Sequence, residues 1–440
     1  MKRIPEFQGG VCAAKIKEKF IMLDQFTLKN GLRVVAEKLP HFRSVSVGVW
    51  VKAGSMDETP EEGGLSHFIE HMLFKGTQRR TARQIAEEMD AIGGQINAFT
   101  SKECTCYYAK VTDDQLPVAM DVLCDMLRNA AFDAAELDKE RGVVLEEIAM
   151  TEDSPEDLVH ELLGQAALDG NPLARPILGT EELISSYTRD DLARYRAKHY
   201  TPETVVLAVA GNYDLQRLKE LAERYLGDWQ TEKAPERKLW GQTFVPALAR
   251  KEKDIEQIHL CAAFPGVPLG SDDVYPLSVL NNLFGGGMSS RLFQRVREES
   301  GLAYTVYSMP ASFPGCGMVA LYAGTSPQHA EPVMRLIREE TERLLADGIT
   351  EEEFVKARQQ LRGGFILGQD SVSSHMSSIG RGLLLLPHIN SEDEVLAKID
   401  AVTMEDTMRV ARSIFGGKNA ASVVGRGANA VAEEVLLWKK

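Results

Sequence analysis

One succession of elements is written twice along this chain, and that repetition constrains the fold more than any other feature. In the first half "LKNGLRVVAEKL" reads as strand, turn and strand, with Asn30-Gly31 marking a hairpin, and "SVSVGVWVKAGS" alternates like a half-buried strand. Next, Leu65, Phe68, Ile69, Met72 and Leu73 recur at spacings of three and four, as an amphipathic helix requires. A helix in "TARQIAEEMDAIGG" stops at two glycines, "QINAFTSKECTCYYAKV" is extended, long helices run through Met150, and "TVVLAVAGNYD" closes the half as a buried strand. The second half repeats this: "IEQIHLCAAFPG" as strand, "YPLSVLNNLFGGGMSSRLFQRVREESG" as helix around a glycine cluster, "LAYTVYSMPASFPGCGMVALYAGT" as hairpin, "HAEPVMRLIREETERLLADG" as helix. "HMLFKGT" lines up with "NNLFGGG", each at a helix end before paired strands. Between the halves "GDWQTEKAPERKLWGQTFVP" loses periodicity and gains charge and proline, as a linker does. The expectation is an α+β protein of two homologous domains, each a mixed or antiparallel sheet with helices packed on it. The domains fall at residues 22–228 and 247–440, joined by a linker at 229–246 and preceded by an extension at 1–21.

The 440 residues carry a formal charge of −14, which argues against nonspecific binding of nucleic acid or an anionic membrane and favours basic partners at long range. No run reaches the 18 or more apolar residues of a membrane span; the longest patch is "GLLLLP" at 382–387. The first residues are basic but lack the apolar stretch of a secretory signal. Six irregularly spaced cysteines suit a reducing compartment better than a disulfide framework, so the cytoplasm is expected.

Within the first amphipathic helix, "GGLSHFIEHMLFKGT" places His67 and His71 one turn apart on the same side, where two imidazoles can grip one zinc ion, with Glu70 beside them. The order H-x-x-E-H is a metallopeptidase signature, in which a free carboxylate beside the metal takes a proton from the attacking water. Alone, the pattern also fits a histidine pair on a helix surface. A third ligand would decide it, and "LDKERGVVLEEIAM" offers two acidic residues: Glu140 and Glu147, seven apart, project within about 20° of each other on a helix, whereas Glu146 points about 100° away from Glu147. In isolation such a glutamate pair is more often a solvated helix face.

"GGLSHFIEHMLFKGT" followed by "NAFTS" and "ERGVVLEEI" resembles the pitrilysin-type metallopeptidases, most of all the mitochondrial processing peptidase and its bacterial two-domain relatives. The resemblance runs over nearly the whole chain from Met22. It implies that His67, His71 and Glu147 hold one Zn2+ per chain, that Glu70 is the general base, and that Glu140 is an acidic residue behind the ligands. "NAFTS" resembles the family's substrate-binding edge strand, which implies that Asn97, Ala98 and Phe99 take an extended peptide by main-chain hydrogen bonds. "RVREESGLAYTVYS" resembles the segment whose Arg and Tyr touch substrate near the scissile bond, here Arg297 and Tyr304. In the long single-chain members four such domains make two halves that close on the peptide. This chain, with two domains and both residue sets, is then implied to be half of a clamshell chamber: a homodimer whose zinc sites are each completed by the partner's Arg and Tyr. The glycine run 285–287 is shorter than the processing peptidase's loop, which weighs against presequence recognition.

The function these residues imply is a zinc metalloendopeptidase acting on peptides or unfolded segments. The rival is a catalytically silent chamber or core subunit; a purely structural zinc is disfavoured by the open fourth position. Cys104 and Cys106 share a strand face and read as buried small residues, and "GGGMSSR" lacks the context of a phosphate loop. His160, His199, His259, His375 and His388 are scattered with no ligand spacing.

Overall fold

The computed structural model describes residues 23–438; the extension expected at 1–21 lies outside them. The first half holds strands β1 Leu23–Thr27, β2 Arg33–Lys38, β3 Ser44–Val51, β4 Gln95–Thr100, β5 Thr105–Thr112 and β6 Val205–Gly211. Its helices are α1 Leu65–Leu73, α2 Ala82–Ala91, α3 Leu116–Asn129, α4 Ala134–Asp153, α5 Pro155–Ala167, α6 Glu181–Ser186, α7 Arg189–His199 and α8 Leu215–Leu226. After residues 230–247, which form neither helix nor strand, come β7 Leu248–Glu252, β8 Ile258–Pro265, β9 Ala303–Phe313, β10 Cys316–Thr325 and β11 Ala420–Gly425. The second set of helices is α9 Val274–Phe284, α10 Ala330–Asp347, α11 Glu351–Gly368, α12 Val372–Leu385, α13 Glu392–Ala401, α14 Met404–Phe415 and α15 Glu433–Leu436.

The sheets run β1-β2-β6-β3-β5-β4 and β7-β11-β8-β10-β9. Leaving out β1, the two agree strand for strand and in sense: β2 with β6 and β7 with β11 are parallel, and the other neighbours are antiparallel. The duplicated succession in the sequence is thus a duplicated α+β unit. The Asn30-Gly31 turn joins β1 to β2, with Gly31 at φ +94, a conformation glycine adopts without a Cβ penalty.

Each sheet has a helical layer of its own half on one face. Val45, Val47 and Val49 of β3 pack with Phe68, Met72 and Leu123 in one core, and Leu260, Ala262 and Phe264 of β8 with Leu280, Ile337 and Phe415 in the other. The opposite faces are covered by exchange. Helix α12, from the second half, lies on β2, β3 and β6, where Val372, Met376 and Ile379 meet Val35, Trp50 and Val206. Helix α5, from the first half, lies on β8 and β11, where Leu158, Val159 and Leu163 meet Cys261, Ala263 and Val424. This exchange corrects the expectation for β3. Its alternation reads as a half-buried strand, yet seven of its eight residues are buried, because α12 covers the side that would otherwise face water. The fit is close: a Cβ at Gly48 would overlap Met376, and one at Gly380 would overlap the Trp50 indole.

Candidate metal centre

Helix α1 begins where the backbone must turn sharply. Gly64 stands at φ +90, and a Cβ there would come within 2.7 Å of the Leu178 carbonyl oxygen, so only glycine lets the helix start this close to the 178–179 segment. The first N–H groups of the helix are met from outside. Glu58 accepts from Gly64 N at 2.9 Å and from Ser66 N at 2.8 Å, and a carboxylate at a helix N-terminus also meets the positive end of the helix dipole. Glu58 is fully buried, and burial pushes its carboxyl from 4.5 up to about 7 against the pull of those two backbone donors. Ser66 is tied in turn to the Tyr195 hydroxyl at 2.8 Å. The helix is therefore set rigidly before its histidines are considered.

One turn apart on α1, His67 and His71 face Glu147 of α4. His67 Nε2 is 3.5 Å and His71 Nε2 3.4 Å from Glu147 Oε2, and the three ligand atoms lie within 4.8 Å of one another. Four-coordinate zinc with ligands at 2.0–2.1 Å holds neighbouring donor atoms about 3.3 Å apart, so the set fits zinc and leaves a fourth position open. Glu140, one face with Glu147 on α4, takes His71 Nδ1 at 2.8 Å and Lys75 at 2.5 Å. That bond keeps the proton on Nδ1 and turns the lone pair of Nε2 toward Glu147, the arrangement a ligating histidine needs. Burial, and next the neighbouring His71, lower the pKa of His67 from 6.5 to about 3, so this ring is neutral at physiological pH. Its Nδ1 is buried without a hydrogen-bond partner among the described residues.

Glu70 is not in the triad. Its Oε2 accepts a 2.6 Å hydrogen bond from the Thr100 hydroxyl of β4, and burial raises its pKa above the ordinary carboxylate value while the Thr100 bond opposes that rise. β4 is the outer strand of its sheet, paired on one side with β5. Asn97, Phe99 and Thr100 line the cleft in front of the triad, whereas Ala98 packs its methyl on the core, leaving its main chain as the part available at the edge. Phe99 is steadied by an edge-on contact with Trp50, centroids 5.6 Å apart.

The cleft measures about 1500 Å³ and runs between the halves, with the triad on one wall and Met309, Ala311 and Phe313 of β9 on the other. Glu152, Asp157, Glu161 and Glu181 add acidic groups to its lining. Arg297 and Tyr304 are not among the residues that line it. They form a separate group in which the Arg297 guanidinium stacks on the Phe293 and Tyr304 rings, 4.7 and 4.6 Å from their centroids, with Tyr304 73% exposed.

Three contributors escaped the sequence. Thr100 stands inside the "NAFTS" stretch and Lys75 inside the histidine stretch, but their partners Glu70 and Glu140 lie on other elements, so their contacts are set by the fold. Glu58 has no such signal, since it belongs to no periodic pattern and meets α1 through the tertiary fold. Among the scattered histidines, His375 lies with Glu37 and Glu392, their ligand-type atoms within 4.8 Å of one another, because α12 crosses onto the first sheet.

Comparison with known proteins gives the family. Residues 33–181 match the family model described as insulinase (peptidase family M16), and residues 186–361 the one described as peptidase M16 inactive domain. An uncharacterized zinc protease of Bacillus subtilis is 44% identical over 93% of this chain and 99% of its own length. One of Mycobacterium leprae is 42% identical over 91% of each. In fold, the chain resembles a protease from Helicobacter pylori (TM-score 0.85, 22% identity, 92% of this chain and 99% of that one). It likewise resembles a peptidase M16 inactive domain from Pseudomonas fluorescens (TM-score 0.86, 18% identity, 92% and 98%). By these matches the chain belongs to the M16 family of peptidases, the insulinase and pitrilysin family.

Proposed function

We propose that this protein is a zinc-dependent endopeptidase that hydrolyses peptides or unfolded segments in a closed chamber. The observation that carries the reading is the convergence of His67 Nε2, His71 Nε2 and Glu147 Oε2 with Glu70 beside them, held by Thr100 and left out of the ligand set. Zinc at the triad would acidify a water molecule and polarise the scissile carbonyl. Glu70 takes the proton of the attacking water and returns it to the leaving amine, and its burial, which favours the protonated form, suits that exchange. Glu140 orients His71. The main chain of Asn97, Ala98 and Phe99 receives an extended peptide as an added strand, which gives affinity with little demand on sequence. The acidic lining favours basic peptides.

The same reading makes the protein a homodimer akin to the processing peptidase family members, with Arg297 and Tyr304 of one copy donating to the developing oxyanion in the other. Support comes from the exposure of Tyr304 and from the separation of this pair from the cleft of its own chain. The reading also takes the protein as cytoplasmic, supported by the buried, unpaired cysteines among the described residues. A chain that could not present Arg297 and Tyr304 to a partner would be a silent chamber subunit, the second reading.

The test compares wild type with Glu70→Gln for zinc content and for cleavage of a quenched basic peptide, with a chelator control. Equal zinc and a loss of about 10²–10⁴-fold in rate in the variant is expected. A wild type that holds zinc and cleaves no peptide tried would favour the silent subunit.

A further inference from the structure

Away from the cleft, three segments far apart in sequence bring Glu37 of β2, His375 of α12 and Glu392, the first residue of α13, to one point. His375 Nε2 lies 3.0 Å from the carbonyl oxygen of Gln369. A carbonyl can only accept, so Nε2 carries a hydrogen. The other nitrogen, Nδ1, then faces two carboxylates, 3.0 Å from Glu37 Oε2 and 3.6 Å from Glu392 Oε1. Glu37 and His375 are buried, and neither glutamate has another cationic partner within 4 Å among the described residues.

Two buried or half-buried carboxylates facing one ring nitrogen need a shared cation, which can be a proton on the imidazole or a metal ion. A proton on Nδ1 satisfies Glu37 but leaves Glu392 beyond hydrogen-bond reach. A metal ion serves all three at once: the separations from Nδ1, 3.0 and 3.6 Å, lie either side of the roughly 3.3 Å expected of ligands around four-coordinate zinc, and the three ligand atoms lie within 4.8 Å of one another, as those of the first triad do. The Gln369 carbonyl supplies the outer hydrogen bond that fixes the ring of a ligating histidine. Beside the group a cavity of about 90 Å³, lined also by Ser378 and Asn390, has room for water to complete the coordination.

We propose that Glu37, His375 and Glu392 form a second divalent-metal site, structural in role, that ties α12 and α13 of the second half to β2 of the first. One imidazole with two carboxylates suits a first-row divalent cation, zinc or manganese. The inference stands independently of the peptidase reading.

Zinc binding to the full chain, measured by equilibrium dialysis after chelator treatment, separates the two sites. Wild type is expected to hold two equivalents. His67→Ala/His71→Ala should keep one, with a melting temperature that still rises on adding zinc. Glu392→Gln, a change at a half-exposed position that the fold should tolerate, should lose that equivalent, weakening it by about tenfold or more, while keeping the first. Circular dichroism and metal-free melting of Glu392→Gln, unchanged from wild type, would tie the loss to the ligand. A wild type whose only equivalent disappears in the double-histidine variant would overturn the proposal, and so would a second equivalent indifferent to Glu392→Gln. Either result would leave His375 as a protonated clamp between the halves.

Discussion

A single hydroxyl decides how Glu70 stands. The carboxylate sits near His71 and Glu147, and the 2.6 Å bond from Thr100 gives it a fixed direction without making it a ligand. Thr100→Val removes the donor at nearly constant volume. The variant is expected to bind zinc as wild type does and to cleave peptide about 10–100-fold more slowly, with the loss in kcat rather than KM, read from steady-state kinetics beside a metal assay. A loss of zinc in step with activity would show that Thr100 supports the fold of the site rather than the base. His67 and His71 themselves were legible as candidates in the sequence, because one helical turn is a local property. Thr100 was not, because its bond to Glu70 joins two elements that only the folded sheet brings together.

Among the elements, α11 illustrates how a helix start couples to its neighbours. Thr350 and Glu353 cap each other, and Glu353 also takes Arg291 at 2.7 and 2.9 Å, from the segment that follows α9. Burial pushes the Glu353 carboxyl up, but the bonds from Arg291 and from Thr350 outweigh it and bring the pKa from 4.5 down to about 2. A depressed folded pKa contributes stability that is present above 4.5 and lost as pH falls through 2. Glu353→Gln should therefore lower stability above pH 4.5, on the order of 1 kcal/mol once solvent screening of its exposed side is allowed for. The difference from wild type should shrink between pH 4.5 and 2, as checked by denaturant titration of chelator-treated protein at several pH values. An unchanged gap at low pH would mean that the side chain stabilises by packing alone. The capping pattern around Thr350 is visible in sequence; Arg291, 62 residues away, is not.

At the scale of the whole molecule, the exchange of α5 and α12 makes each half incomplete without the other, since each sheet would present an apolar face if its foreign helix were removed. The proposed dimer extends that dependence between chains, because Arg297 and Tyr304 lie apart from the cleft of their own copy. Complementation tests it. Glu70→Gln and Tyr304→Phe chains, each weak alone, should regain activity when unfolded and refolded together, up to about a quarter of wild type, since half of the dimers would be mixed and each would carry one intact site. Activity no higher than the average of the two variants would place Tyr304 in its own chain's chemistry or outside it.

By itself, the sequence determined what is local or periodic: the helix that pairs His67 with His71, the face shared by Glu140 and Glu147, the hairpin at Gly31 and the duplicated order of elements. Each follows from spacing along one element, and spacing survives without a fold. Only the tertiary structure decided that Glu147 reaches the histidines and that Glu140 sets the His71 tautomer. It alone decided that Glu58 caps α1, that β3 is buried on both faces, and that His375 meets Glu37 and Glu392. These depend on packing between segments separated by tens to hundreds of residues, whose relative position no local pattern encodes.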